Sequence, residues 1–531
     1  MFVFRLLAEG QLTNDHYLHL ALAQRFLLGD LPGRDFIDPG LPLMYLLSAL
    51  AQSLKPGPFS EVVLTATMLA IAAGVTYGLA ARLTRSWFWP IVAVFIEAAL
   101  WPRPYSYPKV LVPVLVLAAW WRYASQPSSR KMWALAGCNA IGVLLRHDLG
   151  AFSILAVSAA ICTTGSAPRE RLRIWLRYLI CTAVFLAPYQ LFLVGSGGII
   201  EHVRQGLEFS RSDSHQLLFR WSELPELPRI VRFDREEAAT TLYYGSWLFF
   251  VLGIAASIGR REHEHAAVTS TLAAAVMFLG CYIVVILRHP IVVRVPDAAA
   301  VLAVLTVCCT AHTVRWARAE WLSHRVRAVA AAGVVVLLCV ATVTSAATLG
   351  RVAERFHETR LMDGVAKARE RLSALAHAGT VWPWAWYWPN GDLPGVIHYL
   401  KTCTAPEDRV LVTWPAPEYF YYAQRGGGAG QVWFMPRRFA RSEARQRVVE
   451  RLERERVPIA LINESTRDEL SRVYPELEAL LSGRYFTVGH FSTRGAPQVA
   501  VAVRTDFLAT GSYGAEKWPC GFTLLDGEAR R

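Results

Sequence analysis

Residues 60–122 read SEVVLTATMLAIAAGVTYGLAARLTRSWFWPIVAVFIEAALWPRPYSYPKVLVPVLVLAAWWR. Three apolar blocks, about 60–81, 88–101 and 107–121, are separated here by two unlike connections. The first holds Arg82 and Arg85; the second, 101–109, is aromatic and proline-rich. The blocks approach the ~20 apolar residues that cross a bilayer as a helix. Further blocks follow at about 133–145, 149–163, 173–194, 240–258, 267–287, 297–314 and 328–349. Alternate connections are basic: Arg82 and Arg85, then Arg122, Arg130 and Lys131, then Arg169, Arg171, Arg173 and Arg177. Arg260 and Arg261, and finally Arg315, Arg318, Arg325 and Arg327, continue the series. Short basic loops stay in the cytoplasm. The opposite side is therefore predicted to hold the residues before 60, 101–109, the turn Arg146-His147-Asp148, 195–239, 288–297 and everything after 350.

Composition points the same way. Of 531 residues, 53% are hydrophobic and only 18% charged, and the mean hydropathy of +0.28 is too apolar for an ordinary soluble enzyme. The net charge of +13 does not make a nucleic-acid binder. The arginines of the body sit in short loops where they mark topology, and no continuous basic surface or recognition motif is visible. Seven of nine cysteines lie in apolar blocks and read as small buried hydrophobes. Cys403 and Cys520 lie in the C-terminal region and can pair only if it is oxidised and the geometry allows. No CxxC or zinc-spaced His/Cys cluster occurs.

The stretch 133–163 reads as one span with a charged centre or as two short ones. One span would put basic loops on both faces and charges in lipid, at several kcal/mol each. Two short spans with Arg146, His147 and Asp148 at an extracytoplasmic turn are expected. Ten spans with the C-terminus outside put the N-terminus outside as well. Residues 1–7, MFVFRLL, read as the tail of a hydrophobic helix, which implies a first transmembrane helix upstream.

Residues 10–46 read GQLTNDHYLHLALAQRFLLGDLPGRDFIDPGLPLMYL. Thr13 or Asn14 can cap a helix starting near Asp15. Leu18, Ala21, Leu22, Arg25 and Phe26 form its stripe, with His19 and Gln24 off it. Gly29 ends it. A turn-rich connector, Leu31-Pro32-Gly33-Arg34-Asp35-Phe36, leads to a second short helix from Pro42 through Leu54. Both suit the membrane surface.

An acid just after a first membrane helix, a surface helix, a Gly-x-x-Pro-x-Arg-Asp-Phe connector and a Pro-Leu-x-Tyr-Leu helix together resemble the first extracytoplasmic loop of GT-C glycosyltransferases. These multi-span enzymes use polyprenyl-phosphate sugars, as in the bacterial 4-amino-4-deoxyarabinose transferase and protein mannosyltransferase types. The aromatic second loop, 101–109, and a C-terminal extracytoplasmic domain match that architecture. The resemblance implies that Asp15 is the catalytic base or a metal ligand. The chain departs from the pattern in its missing first helix and in a second loop without the aspartate many members carry. Use of a divalent metal is left open.

Glycosyl transfer from a lipid phosphate needs a base for the acceptor hydroxyl and cations for the departing phosphate. Asp15 suits the first role, and Lys109, Arg146, His147, Arg288 and His289, all at extracytoplasmic ends of spans, suit the second. Asn14, His16, Arg34, Asp35 and Asp148 are supporting candidates. Bland readings stand beside these. Asp15 can be a helix N-terminal acid, Asp35 and Asp38 turn formers, and Arg34 a partner for a neighbouring acid. Arg146 and Asp148 can pair with each other, Arg288-His289-Pro290 can end a span, and Lys109 can anchor at the interface.

The loop 195–239 is longer than a plain connector and reads as a lid, an acceptor-binding element or an exposed amphipathic loop. Residues 351–378 read as an amphipathic helix, followed by Trp382, Trp384, Trp386, Tyr387 and Trp388, a cluster suited to the membrane interface or to stacking on sugars. Beyond 393, strands are expected at 409–414, 458–463 and twice within 484–503. Helices are expected at 418–424, 441–456 and 466–481, which makes a small α/β domain. Gly426-Gly427-Gly428-Ala429-Gly430 lacks a phosphate-loop context and reads as a flexible loop.

The expected architecture is a polytopic α-helical membrane protein, GT-C-like with about ten transmembrane helices and a C-terminal extracytoplasmic α/β domain. Its parts are a first loop at 1–58, a transmembrane body at 59–350, a juxtamembrane segment at 351–392 and the α/β domain at 393–531. The expected function is transfer of a sugar from polyprenyl phosphate to an extracytoplasmic lipid, glycan or protein acceptor, at a bacterial-type inner membrane and without nucleic acid. The alternatives are a transporter or flippase of lipid-linked glycans, disfavoured by the lack of an internal repeat or mid-span charges, and a non-catalytic scaffold.

Overall fold

Uninterrupted Ala, Leu, Val and Ile runs have no backbone-competing side chains, so the chain satisfies its peptide groups internally and forms helices. The computed structural model describes residues 1–9, 12, 14–214, 239–241, 243–246, 266–287, 291–317, 353–376, 393–432, 434, 442–492 and 498–525. The expected blocks 328–349 and most of 240–258, the Trp382 to Trp388 cluster, and Arg288 and His289 lie outside them. The N-terminal helices are α1 (Phe2–Ala8), α2 (Asn14–Leu27), α3 (Pro42–Leu54), α4 (Pro58–Thr84) and α5 (Phe88–Leu100). They continue with α6 (Tyr107–Ser125), α7 (Ser129–Leu145), α8 (His147–Cys162), α9 (Pro168–Gly195) and α10 (Ile199–Ser214). The fold is that of a polytopic helical membrane protein with a C-terminal mixed sheet.

Among the described residues three helices, Pro58–Thr84, Pro168–Gly195 and Ala266–Ile286, are long and apolar enough to cross a bilayer. Four shorter apolar helices accompany them, Pro42–Leu54, Phe88–Leu100, His147–Cys162 and Val295–Ala311. At 1.5 Å per residue, α4 is about 40 Å long, more than a hydrocarbon core. On α9, Leu176, Ile180, Val184 and Leu191 face outward, as expected where lipid replaces water.

The chain forms two compact units. One comprises Met1–Glu9, Val62–Tyr189 and Leu217–Ser373. Within it the helix Ala266–Cys281 packs on α8 and α6, the helix Ala299–Ala317 on α5, and α6 on α7. Residues 133–163 form two helices, because Arg146 adopts an extended conformation between α7 and α8. Ser128 caps α7 by accepting the Lys131 amide. A Cβ on Gly150 would stand 2.8 Å from the Val143 Cα, so this helical hairpin closes only around a glycine.

The other unit comprises Gly10–Glu61, Gln190–Gln216 and Ala374–Arg531. Helices α2 and α3 pack together, and the short helix Glu418–Ala423 packs on α2. The sheet runs β2-β1-β3-β5-β4, with β1 (Arg409–Val412), β2 (Gly426–Gly427), β3 (Ile459–Asn463), β4 (Tyr485–Ser492) and β5 (Gln498–Arg504). Strand β1 is parallel to β2 and β3, while β5 is antiparallel to β3 and β4. Ala460, Ile462, Ala500 and Ala502 meet Leu452, Leu477 and Leu481 in the core.

The domain differs from the sequence reading in three places. The glycine run is no loose loop: Gly426 and Gly427 pair with Arg409 and Val410 as an edge strand, and Gly428–Gly430 is a buried turn. The helix expected at 466–481 divides at Pro475 into Arg467–Val473 and Pro475–Arg484. A hairpin of β6 (Phe507–Tyr513) and β7 (Trp518–Leu524) follows, and the Cys403–Cys520 disulfide ties it to the helix Leu393–Cys403.

Candidate functional site

In the unit that contains the first loop, Asp15 occupies the first turn of α2 and is partly buried. His16 is fully buried behind it. Burial and the nearby His19 push its ring down to about 3, so it is neutral at pH 7. Tyr17 shares a hydrogen bond of 2.8 Å with the Tyr422 hydroxyl, which fixes this turn to the α/β region. Asn14 begins the helix.

The connector is organised by its acids. Arg34 pairs with Asp35 at 2.7 Å, and Asp35 also accepts the Leu31 amide. Burial would raise the Asp35 carboxyl, but Arg34 and that amide hold it below the usual range. Asp38 accepts the amides of Gly40 and Leu41, a turn-forming arrangement.

Arg25, in the apolar stripe of α2, is fully buried, yet its guanidinium is the hub of the loop. It donates to Asp30 at 2.9 Å, to the Asp35 carbonyl at 2.9 Å and to the Gly427 carbonyl at 3.2 Å. Arg409 closes on the same Asp30 at 2.9 Å. Burial opposes the Asp30 charge, but Arg25 and Arg409 lower its pKa below the usual carboxylate range. A cation in an apolar stripe was the signal in the sequence.

In the other unit, Lys109 lies in the first turn of α6 and is only 4% exposed. Its ammonium is 2.6 Å from Asp297, which Arg103 also reaches at 2.8 Å. Both cations use Oδ2; the buried Oδ1 has no hydrogen-bond partner among the described residues. Tyr282 donates to the Lys109 carbonyl and holds the start of α6. Arg146 makes a two-pronged pair with Asp148, both bonds 2.7 Å, and lies within electrostatic reach of Lys109 and Asp297. His147 opens α8 directly after Arg146. Lys109, Arg146 and Asp148 thus come within electrostatic reach of one another, joined by Arg103 and Asp297, which the sequence does not single out. The one signal for Asp297 was an acid placed immediately before an apolar block. Among the described residues no three histidine, cysteine or acidic side chains are grouped so as to hold a metal ion.

The structure aligns over 94% of this chain with 96% of ArnT from Cupriavidus metallidurans bound to undecaprenyl phosphate, with a TM-score of 0.51 at 11% identity. The chain has an ArnT-like fold. The apo state of the same ArnT aligns with a TM-score of 0.46 at 12% identity, over 95% of this chain and 96% of that one. No family model matches the chain, and no curated protein does. Within this ArnT-like body, the second-loop cations Arg103 and Lys109 receive their carboxylate from Asp297, far along the chain.

Proposed function

We propose that the chain is a membrane glycosyltransferase that moves a sugar from a polyprenyl-phosphate donor to an extracytoplasmic lipid, glycan or protein acceptor. The observation that carries this reading is the cation group of buried Lys109 with the partly exposed Arg103 and Arg146, in a fold shared with an ArnT bound to undecaprenyl phosphate. Three cations against two carboxylates leave an excess positive charge beside the buried Lys109–Asp297 pair, which favours a phosphate anion.

In the proposed reaction Asp15 takes the proton of the acceptor hydroxyl, and the freed oxygen attacks the anomeric carbon. The bond from that carbon to the phosphate oxygen breaks, and the polyprenyl phosphate leaves with the electron pair. Lys109 and Arg146 hold its oxygens, with His147, Arg288 and His289 as further donor contacts. Asn14, His16, Arg34, Asp35 and Asp148 position these groups, and metal use by Asp15 stays open. The Cys403–Cys520 disulfide supports an extracytoplasmic α/β domain at a bacterial-type inner membrane, because such bonds persist in oxidising compartments.

The test uses membrane-inserted protein and a radiolabelled polyprenyl-phosphate sugar. Asp15→Asn is expected to lower transfer by about 10²-fold or more, the usual worth of a general base, with donor binding retained. Transfer at the unmodified rate would remove Asp15 from the mechanism.

A further inference from the structure

A cavity of about 550 Å³ lies within the first-loop and α/β unit, and α2 contributes none of its walls. Its volume is in the range of small-molecule sites rather than of a single bound ion. Three segments build it: the connector around Gly33 and Arg34, the start of α10, and the helix Ser442–Arg454 with the turn before it. The first two touch backbone to backbone. A Cβ on Gly33, at φ +76°, would stand 2.8 Å from the Gly198 carbonyl oxygen, and one on Gly198 would stand 2.8 Å from that of Pro32. The Ile37 amide donates to the Gly430 carbonyl at 3.1 Å and ties the connector to the third segment.

The lining is rich in donors. Arg34, Arg447, Arg451 and Arg454 face Glu201, Glu450 and Glu455. Four guanidinium groups carry roughly twenty N–H donors, against about a dozen carboxylate lone pairs. Both capacities are partly engaged: Arg34 donates to Asp35, Arg451 to Glu455 and the Asp35 carbonyl, and Arg454 Nε to the Glu450 carbonyl, while Glu455 accepts the Ala429 amide and Glu201 accepts from Arg204 and Gln205. Gln431, also in the lining and 4% exposed, has an amide nitrogen without a hydrogen-bond partner among the described residues. A site with surplus donors calls for an anion, and one that still offers carboxylates calls for hydroxyl groups as well.

We infer that this cavity binds an anionic saccharide, a sugar carrying a phosphate or carboxylate. Arg447 and Arg454 hold the charged group, and Glu201 and Glu450 accept from ring hydroxyls. The inference does not depend on Asp15, because binding is read without turnover.

The experiment measures binding of glucose 1-phosphate, glucuronate, glucose and inorganic phosphate to the full chain in nanodiscs by calorimetry. Both anionic sugars are expected to bind, with affinity falling as salt is raised, while glucose and phosphate bind at least tenfold more weakly. Arg447→Gln with Arg454→Gln is expected to weaken glucose 1-phosphate at least tenfold, and Arg454→Lys to weaken it less. An unchanged melting temperature confirms that the variants are folded. Glucose binding as tightly as glucose 1-phosphate, phosphate alone doing so, or a folded double variant with unaltered affinity would each overturn the assignment.

Discussion

Asp30→Asn tests the hub of the first loop. The substitution keeps the shape of the side chain but removes the charge shared by Arg25 and Arg409. Arg25 is 0% exposed and cannot turn to solvent, whereas Arg409 is 20% exposed and can. Breaking a buried pair costs about 3–5 kcal/mol. Arg25 keeps its bonds to the Gly427 and Asp35 carbonyls, and Asp30 is itself 17% exposed, so the lower end, about 3 kcal/mol, is expected. At 1.4 kcal/mol per decade this is about a hundredfold rise in local opening, read by amide hydrogen exchange across α2. Arg25→Met together with Asp30→Asn leaves no buried cation and is expected to restore much of the protection. The same triad sets a pH dependence. The folded pKa of Asp30 is depressed, so its contribution is complete above the unfolded carboxylate pKa of about 3.9 and fades as pH falls through the lower folded value. Exchange in Asp30→Asn within threefold of the parent, or a double variant no better protected than the single one, would refute this account.

Two further substitutions probe the two units separately. Gly150→Ala drives a methyl group into the Val143 Cγ2 and places it 2.8 Å from the Val143 Cα; it is expected to cost about 1–3 kcal/mol. Val143→Ala should recover only part of that loss, because the backbone contact remains, and the thermal midpoint in detergent reports both. Replacing Cys403 and Cys520 with Ser removes a link between residues 117 apart in sequence and is expected to cost about 2–5 kcal/mol. In the parent, both thiols should resist maleimide until a reductant is added.

The membrane body was legible because hydropathy reports directly on the solvent of each segment. The split of 133–163 followed from counting sides, and the structure places Arg146 in an extended conformation between two helices. The α/β alternation was legible for the same reason: Ile459–Asn463 and Gln498–Arg504 are apolar runs bounded by turn residues. The hairpin β6–β7 was not. Its residues, such as those of FLATGSY, are largely exposed, so no buried face imprints a period on them. The glycine run misled because its order comes from pairing with β1, a non-local cause that composition does not carry.

The candidate site was less legible, since its organisation lies in pairs distant in sequence, Lys109 with Asp297 and Asp30 with Arg409. Each group puts two cations on one carboxylate, but they differ in what is left over. Asp30 spends both oxygens, Oδ1 and Oδ2, on Arg25 and Arg409, and Arg25 also reaches two backbone carbonyls. A network so filled is a structural device. Asp297 gives only Oδ2 to Lys109 and Arg103, and its buried Oδ1 and the Arg103 Nε have no hydrogen-bond partner among the described residues. Leaving a buried polar atom unmet costs about 1–3 kcal/mol, and apolar residues could replace an ion pair at little loss of stability. A cost of that kind persists where it is compensated by what the site does. That contrast, more than charge alone, separates the Asp297 group from the Asp30 group.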